Sequence, residues 1–264
     1  MDFYISKIMG IVNVTPDSFS DGGKYFSLDS AVNRALELID DGADIIDIGG
    51  ESTRPGSEPV SVDEEINRTI PVIKKIIKLR KDAVISIDST KSEVAKQALD
   101  SGAQIINDIS GLTFDENMIT TAKEFDAAVV IMHIKGNPKT MQDNPYYDDV
   151  VKEVYDFLFV QSKKAKQNGI EKIIVDPGIG FGKNVDDNFT LIKNLDYFQS
   201  IGYPVLIGVS KKSFIGKTLN LESDRREIGT VVLETISILK SARIIRTHNV
   251  KYCTQIVKLA SHIL

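Results

Sequence analysis

The chain has 264 residues, 32 Lys and Arg against 37 Asp and Glu, a formal net charge of −5 and one cysteine, Cys253. A single cysteine excludes an internal disulfide framework and a cysteine-rich zinc site. The acidic balance argues against a general nucleic-acid or anionic-membrane surface, while a phosphorylated small ligand needs only a local basic site.

The N-terminus, MDFYISKIMGIVNVTPDS, has no basic segment leading into a long apolar one, so no signal peptide is expected. The longest apolar run, 127–132, is far below the ~18 residues of a membrane span. A cytoplasmic enzyme is therefore the expected class. Short β-branched runs at 8–14, 44–48, 84–88, 105–108, 129–133, 173–176, 205–210 and 244–248 read as strands. Between and after them, 30–41, 62–80, 92–101, 115–125, 148–168, 186–200, 226–241 and 250–264 read as helices. The second has Ile66, Ile70, Ile73, Ile76 and Ile77 at helical spacing. Eight such βα units, roughly 34 residues each, predict an α/β fold, a single (β/α)8 TIM-barrel domain over 1–264. The alternative is a doubly wound open sheet, against which stands the lack of GxGxxG after the first strand.

Polar residues gather where the strands finish: Asn13, Asp47, Asp88, Asn107, Asp108, His133, Asp176, Ser210, Lys211, Lys212, Arg246 and His248. One Asp after a strand is often just the cap of the next helix. Polar endings on all eight strands instead predict a ring of donors and acceptors around one pocket. Three long connections, 15–24, 49–59 and 134–147, border the same face, and Arg54 in the second suits an anion.

Eight segments stand in order with matching spacing: MGIVNVTPDSFSDGG, GADIIDIGGESTRPG, SIDSTK, INDISG, MHIKGNPKTMQ, DPGIGFGK, IGVSKKSFIG and RTHNV. Together they resemble the bacterial dihydropteroate synthases over nearly the whole chain from Lys7. The resemblance implies a barrel that joins 6-hydroxymethyl-7,8-dihydropterin diphosphate to 4-aminobenzoate, giving 7,8-dihydropteroate and diphosphate. By the same resemblance, Asp88, Asn107, Asp176 and Lys212 hold the pterin, with Met132 and Phe181 as apolar walls. For Met132 alone, ordinary barrel core would be the plainer reading. A carboxylate such as Asp176 suits the pterin's adjacent N–H donors.

Thr53, Arg54, Arg246 and His248 match the diphosphate residues, and Asn13 matches the ligand of Mg²⁺, the implied cofactor. Phe19, Pro55 and Ser213 match the 4-aminobenzoate contacts, Ser213 at the start of a helix that favours an anion. Lys212, Asp88, Arg246 and His248 are the catalytic candidates, with Mg²⁺ and the Arg246/His248 side supplying positive charge to the leaving diphosphate. No covalent intermediate and no Ser-His-Asp triad is expected, since the sequence places no histidine beside Ser210. One departure is visible: Lys211 stands where the family commonly has Arg. A homodimer through the C-terminal helices is also implied. Two other readings are another pterin-binding barrel, such as a methyltetrahydrofolate:corrinoid methyltransferase, and a non-catalytic pterin-binding subunit. Neither explains a full set of diphosphate-matching residues.

Overall fold

The computed structural model describes residues 6–15, 28–54 and 56–264. Its strands are β1 (Lys7–Asn13), β2 (Ile45–Gly49), β3 (Ile85–Asp88), β4 (Ile105–Asp108), β5 (Ala128–Met132), β6 (Ile173–Asp176), β7 (Leu206–Ile207) and β8 (Ile244–Thr247). They run parallel in the order β6-β5-β4-β3-β2-β1-β8-β7. A bridge between Val175 and Val205, with the Val175 N–H donating to Pro204 O at 3.0 Å, joins β6 to β7 and closes the ring. The sheet is therefore the expected barrel and not an open, doubly wound one.

The surrounding helices are α1 (Leu28–Asp40), α2 (Val62–Leu79), α3 (Ser92–Asp100), α4 (Met118–Glu124), α5 (Val150–Gln167), α6 (Val185–Lys193), α7 (Ser213–Leu219), α8 (Glu227–Leu239) and α9 (Val250–Ala260). Outward strand residues such as Ile46, Ile48, Ile85, Ile87, Val129 and Val175 pack with the inner faces of these helices in one continuous core. Alternation of side chains along each strand turns the other set inward. There Met9, Ile45, Ile105, Val130, Ile174, Leu206 and Ile244 form a separate buried layer that plugs the barrel. Among the described residues no helix is long and apolar enough to cross a membrane.

Three expectations need correction. The seventh strand pairs only over Leu206–Ile207, because the chain then leaves the sheet for a turn in which Lys211 takes a left-handed conformation, φ 56°. An additional helix, α7, follows that turn, before the helix expected at 226–241. Seven residues, SFIGKTL, are too few to show helical periodicity. The helix expected over 186–200 also breaks, into α6 and a 3-10 helix at Leu195–Ile201.

Candidate active site

The site grows out of the barrel layers. Two residues beyond the apolar plug, each strand turns its next side chain in the same direction. Asp47 thus follows Ile45, Asn107 follows Ile105, Met132 follows Val130, Asp176 follows Ile174 and Arg246 follows Ile244. Strand register adds the rest. Asn13 is opposite Gly49, Gly49 opposite Asp88, and Asp88 opposite Asn107, while Met132 pairs with Asp176. Between β4 and β5 the register steps by two, with Asn107 opposite Val130, the stagger of tilted barrel strands, so the predicted pterin residues of β3 to β6 gather at the C-terminal end of the barrel.

Arg246 organises this level. Its Nε donates to Asp47 Oδ2 and its Nη2 to Asp88 Oδ2, both at 2.6 Å. Asn107 Nδ2 donates to the same Asp47 oxygen at 3.0 Å. Burial disfavours charge on Arg246, but Asp47 and Asp88 outweigh it and hold the guanidinium protonated. At Asp88 burial pushes the carboxyl above its usual range, opposed by Arg246 and reinforced by Asp47 and Glu65. Asp47 is fully buried, and its Oδ1 has no hydrogen-bond partner among the described residues. Sequence reading marked Asp47 as a polar strand end without giving it a role. Its place two residues after Ile45, level with Arg246, was the available signal.

Asp176 is buried, and its Oδ1 accepts the Gly178 N–H at 2.7 Å. The following turn depends on glycine. Gly178 has φ 68°, and a Cβ there would lie 1.9 Å from His133 O. Lys183 then runs back beneath the loop. Its buried Nζ donates to Gly178 O at 2.9 Å and Phe181 O at 3.0 Å, and lies 3.0 Å from His133 Nδ1. Gln142 Nε2 and Tyr147 Oη donate to Gly180 O and Gly182 O, each at 2.7 Å. The long 134–147 connection is thus a brace for the loop carrying Phe181. Phe181 packs on the apolar group of Ile109, Met132, Ile134 and Met141, so Met132 belongs to the wall of the site and not to the plug.

Lys212 enters from the β7 side. Its Nζ donates to Ile179 O and stands 4.5 Å from the centroid of the Phe181 ring. Burial lowers its pKa to about 8, partly offset by Asp176 and Asp88. The turn that presents it is fixed from below, where Lys211 N donates to Thr230 Oγ1 at 3.0 Å and Arg226 Nη1 to Lys211 O at 3.1 Å. The Lys211 side chain, the departure noted above, pairs with Glu227 at 3.4 Å.

Two expectations about charge and pairing change at His248. Its Nδ1 lies 3.0 Å from Ser210 Oγ, so Ser210 does have a histidine partner, brought from β8 to the end of β7 by strand pairing. Burial, then Arg246, Lys211, Arg54 and Arg34, depress the His248 pKa to about 3. The imidazole is neutral at pH 7 and the positive charge on this side belongs to the arginines. Among the described residues no carboxylate orients His248, so Ser210 and His248 form a pair there and not a catalytic triad. Thr53 is half-buried and Arg54 exposed in the connection after β2. Ser213 is exposed at the first position of α7. Phe19 and Pro55 lie outside the described residues.

Asn13 closes β1 with an amide oxygen, a hard donor of the kind Mg²⁺ takes. Among the described residues no three His, Cys, Asp or Glu side chains form a group able to hold a metal alone. That donor set fits an ion carried mainly by phosphate oxygens and only touched by protein.

The description "pterin binding enzyme" matches residues 9–248 of the chain. The dihydropteroate synthase of Synechocystis is 46% identical over 256 residues, covering 96% of this chain and 88% of the relative. Dihydropteroate synthase of Yersinia pestis in complex with a sulfonamide drug superposes with a TM-score of 0.94 at 38% identity, covering 100% of this chain and 96% of the other. The Xanthomonas albilineans enzyme in complex with 7,8-dihydropteroate gives 0.89 at 35% identity over 100% and 95%. The motifs, the closed barrel and these similarities converge, and the chain belongs to the pterin-binding enzymes and, among them, to the dihydropteroate synthases.

Proposed function

We propose that the level of side chains above the barrel plug condenses 6-hydroxymethyl-7,8-dihydropterin diphosphate with 4-aminobenzoate, each residue in the part its chemistry suits. The observation carrying this reading is the linked set Asn107–Asp47–Arg246–Asp88, with Asp176 and Lys212 beside it. It combines buried acceptors for a pterin's N–H edge with a cation for a phosphate. Asp176 accepts from the 2-amino and N3 positions, Asn107 and Asp88 bind the opposite edge, Lys212 donates to the carbonyl and N5, and Met132 and Phe181 enclose the ring. Two of the N–H donors of Arg246 are engaged by carboxylates, and the others are left for a diphosphate oxygen. Thr53 and Arg54 approach the diphosphate from the loop after β2, and neutral His248 contributes a hydrogen bond, with Arg246 and Arg54 supplying the charge. Mg²⁺, when bound, is held by Asn13 together with phosphate oxygens and adds positive charge against the leaving group. Ser213, with Phe19 and Pro55, contacts the arylamine.

In the reaction the C–O bond from the pterin methylene to diphosphate breaks, and the diphosphate keeps the electron pair. The neutral arylamine nitrogen forms the new C–N bond and one N–H proton is released. Arg246 lowers the barrier by facing the charge that grows on the leaving oxygen. Asp88 and Asp176 lie beside the ring that takes up the positive charge. No acyl or glycosyl-like enzyme intermediate is needed. The test is release of inorganic diphosphate on mixing the purified chain with both substrates and Mg²⁺. Release only when both substrates are present supports the synthase, and a chain that binds pterin but releases none is the non-catalytic subunit. A corrinoid methyltransferase would need neither diphosphate nor the arginines that suit it, and the relatives named above are synthases.

A second copy of the chain is the proposed partner. Ile228, Val232, Ile236 and Leu239 form an exposed apolar stripe along α8, continued by Tyr252 and Leu259 of α9, and Ile228 is 80% and Leu259 69% exposed. The homodimer implied by the resemblance would cover this stripe. Light scattering should give twice the 29.2 kDa chain mass, and V232E/I236E should give the monomer mass. A monomeric wild type would sink the assignment. The single buried cysteine is compatible with a reducing, cytoplasmic setting.

A further inference from the structure

Two motif residues have no part in the reading above, Glu51 of GGESTRPG and Lys91 of SIDSTK. The fold brings them together. Lys91 Nζ donates to Glu51 Oε2 and to Glu65 Oε2, each at 2.5 Å. Glu51 follows β2, Glu65 lies in the first turn of α2, and Lys91 caps α3 just after β3. The same Glu51 oxygen accepts the Val60 N–H at 2.9 Å, which ties the far end of the 51–60 connection to its start. Thr53 and Arg54 lie between those two points.

The start of the connection is seated tightly on α2. A Cβ at Gly50 would lie 2.8 Å from Thr69 Cγ2 and 3.0 Å from Glu65 Cγ. Arg68 Nη1 also donates to Gly50 O at 2.8 Å. Further out, Ser57 Oγ donates to Ser52 O at 2.5 Å and Arg54 O at 2.8 Å, ties within the connection itself, while its ties to other segments are long or exposed, such as Gly56 N–H to Pro138 O at 3.4 Å and the surface pair Lys139–Glu58. Glu65 is 1% exposed and its Oε1 has no hydrogen-bond partner among the described residues, so its charge depends on Lys91 through Oε2. Burial disfavours the Lys91 ammonium, but the bonds from Glu51 and Glu65 more than offset it and keep the amine protonated.

We propose that Lys91 is a positioning residue: by clamping Glu51 against Glu65 it fixes the 51–60 connection and so presents Thr53 and Arg54 to the diphosphate half of the substrate. The proposal rests on the assignment of Thr53 and Arg54 to that diphosphate. The pterin residues Asn107 and Asp176 are held by other bonds, and only Asp88 feels the clamp, through the charge of Glu65, so the clamp bears chiefly on the diphosphate half of the substrate.

The test is calorimetric titration of the full chain with inorganic diphosphate plus Mg²⁺ and, separately, with 6-hydroxymethylpterin, which has no phosphate. For Lys91→Met and Glu51→Gln, diphosphate Kd and the KM for the diphosphate substrate are expected to rise about tenfold or more. For Glu51→Gln, which keeps the Lys91–Glu65 pair beside Asp88, the 6-hydroxymethylpterin Kd should stay within about twofold, and for Lys91→Met it should change less than the diphosphate Kd. Lys91→Arg should recover most of the loss. Unchanged diphosphate affinity, or equal losses for both ligands, overturns the proposal. Should Lys91→Met fail to fold, Glu51→Gln decides, because it keeps the Lys91–Glu65 pair and an oxygen for Val60. Arg54→Ala separates the two levels. If it leaves diphosphate binding unchanged, the diphosphate assignment fails and the clamp's role falls with it. If it weakens diphosphate binding while the clamp variants do not, only the positioning role is lost.

Discussion

Arg246→Ala is expected to lower kcat/KM for the dihydropterin diphosphate by roughly 10³-fold or more, through two separable effects. The first is chemical: the guanidinium is bound to the pterin carboxylate Asp88 and faces the side assigned to diphosphate, and its removal takes a counter-charge from the departing oxygen. The second is structural. Asp47 and Asp88 both spend an oxygen on Arg246 at 2.6 Å. Asp47 is fully buried and has no other cation at hydrogen-bond distance among the described residues. Removing one partner of such a buried ion pair costs about 3–5 kcal/mol, so a fall in Tm should accompany the fall in rate. Arg246→Lys distinguishes the two. An ammonium can compensate one carboxylate and recover part of the stability, but it cannot span both acids and a phosphate as a planar fork does. A deficit of about 10²-fold in kcat/KM, with a Tm between those of Arg246→Ala and the wild type, is therefore expected for Arg246→Lys. Steady-state kinetics beside thermal unfolding measure both, and full activity in either variant would remove Arg246 from the chemistry.

Asp176→Asn is expected to weaken dihydropterin diphosphate binding at least about tenfold, from a mismatch of about 1–3 kcal/mol. The geometry says why an isosteric change should be so costly. Asp176 Oδ1 accepts the Gly178 N–H at 2.7 Å, so an asparagine would keep its carbonyl there and turn its NH2 into the slot, donor against donor. The pH dependence follows from the same pair of groups. The proton of Lys212 is favoured by Asp176 but disfavoured by burial, leaving its pKa at about 8. In the proposed role of Lys212 the ammonium is the stronger donor to the pterin carbonyl, so affinity is expected in full below pH about 8 and to decline as pH rises through it. Burial raises the Asp176 carboxyl and Lys212 opposes that rise, so carboxylate and ammonium support each other; Asp176→Asn deletes the carboxylate half, and the alkaline decline should move to lower pH. Titrations of pterin affinity between neutral and alkaline pH would show the limb and its displacement. A limb that stays in place in the variant would break the proposed coupling.

The sequence alone was enough for the barrel. Eight β-branched runs alternating with helix-like stretches, with a polar residue at each end, leave few other arrangements that bury so many apolar strands. The ordered motifs were enough for the family, because each one places a chemically committed residue on a strand end or its loop. Side-chain alternation even contained the role of Asp47, two residues beyond Ile45. Tertiary structure alone decided what distant residues do to one another. Arg246 is 199 positions from Asp47 and 158 from Asp88, and only barrel closure makes them a single ion network. Ser210 and His248 meet because β7 pairs with β8, and the neutrality of that histidine comes from burial and four surrounding cations, none of which a linear motif encodes. Helix α7 was too short to show by periodicity, its start at Ser213 being implied only by the resemblance, and the Glu51–Lys91–Glu65 clamp joins three separate elements. Periodicity and motif chemistry are local and travel with the sequence, whereas charge pairing, desolvation and pKa depend on which segments the fold packs against each other.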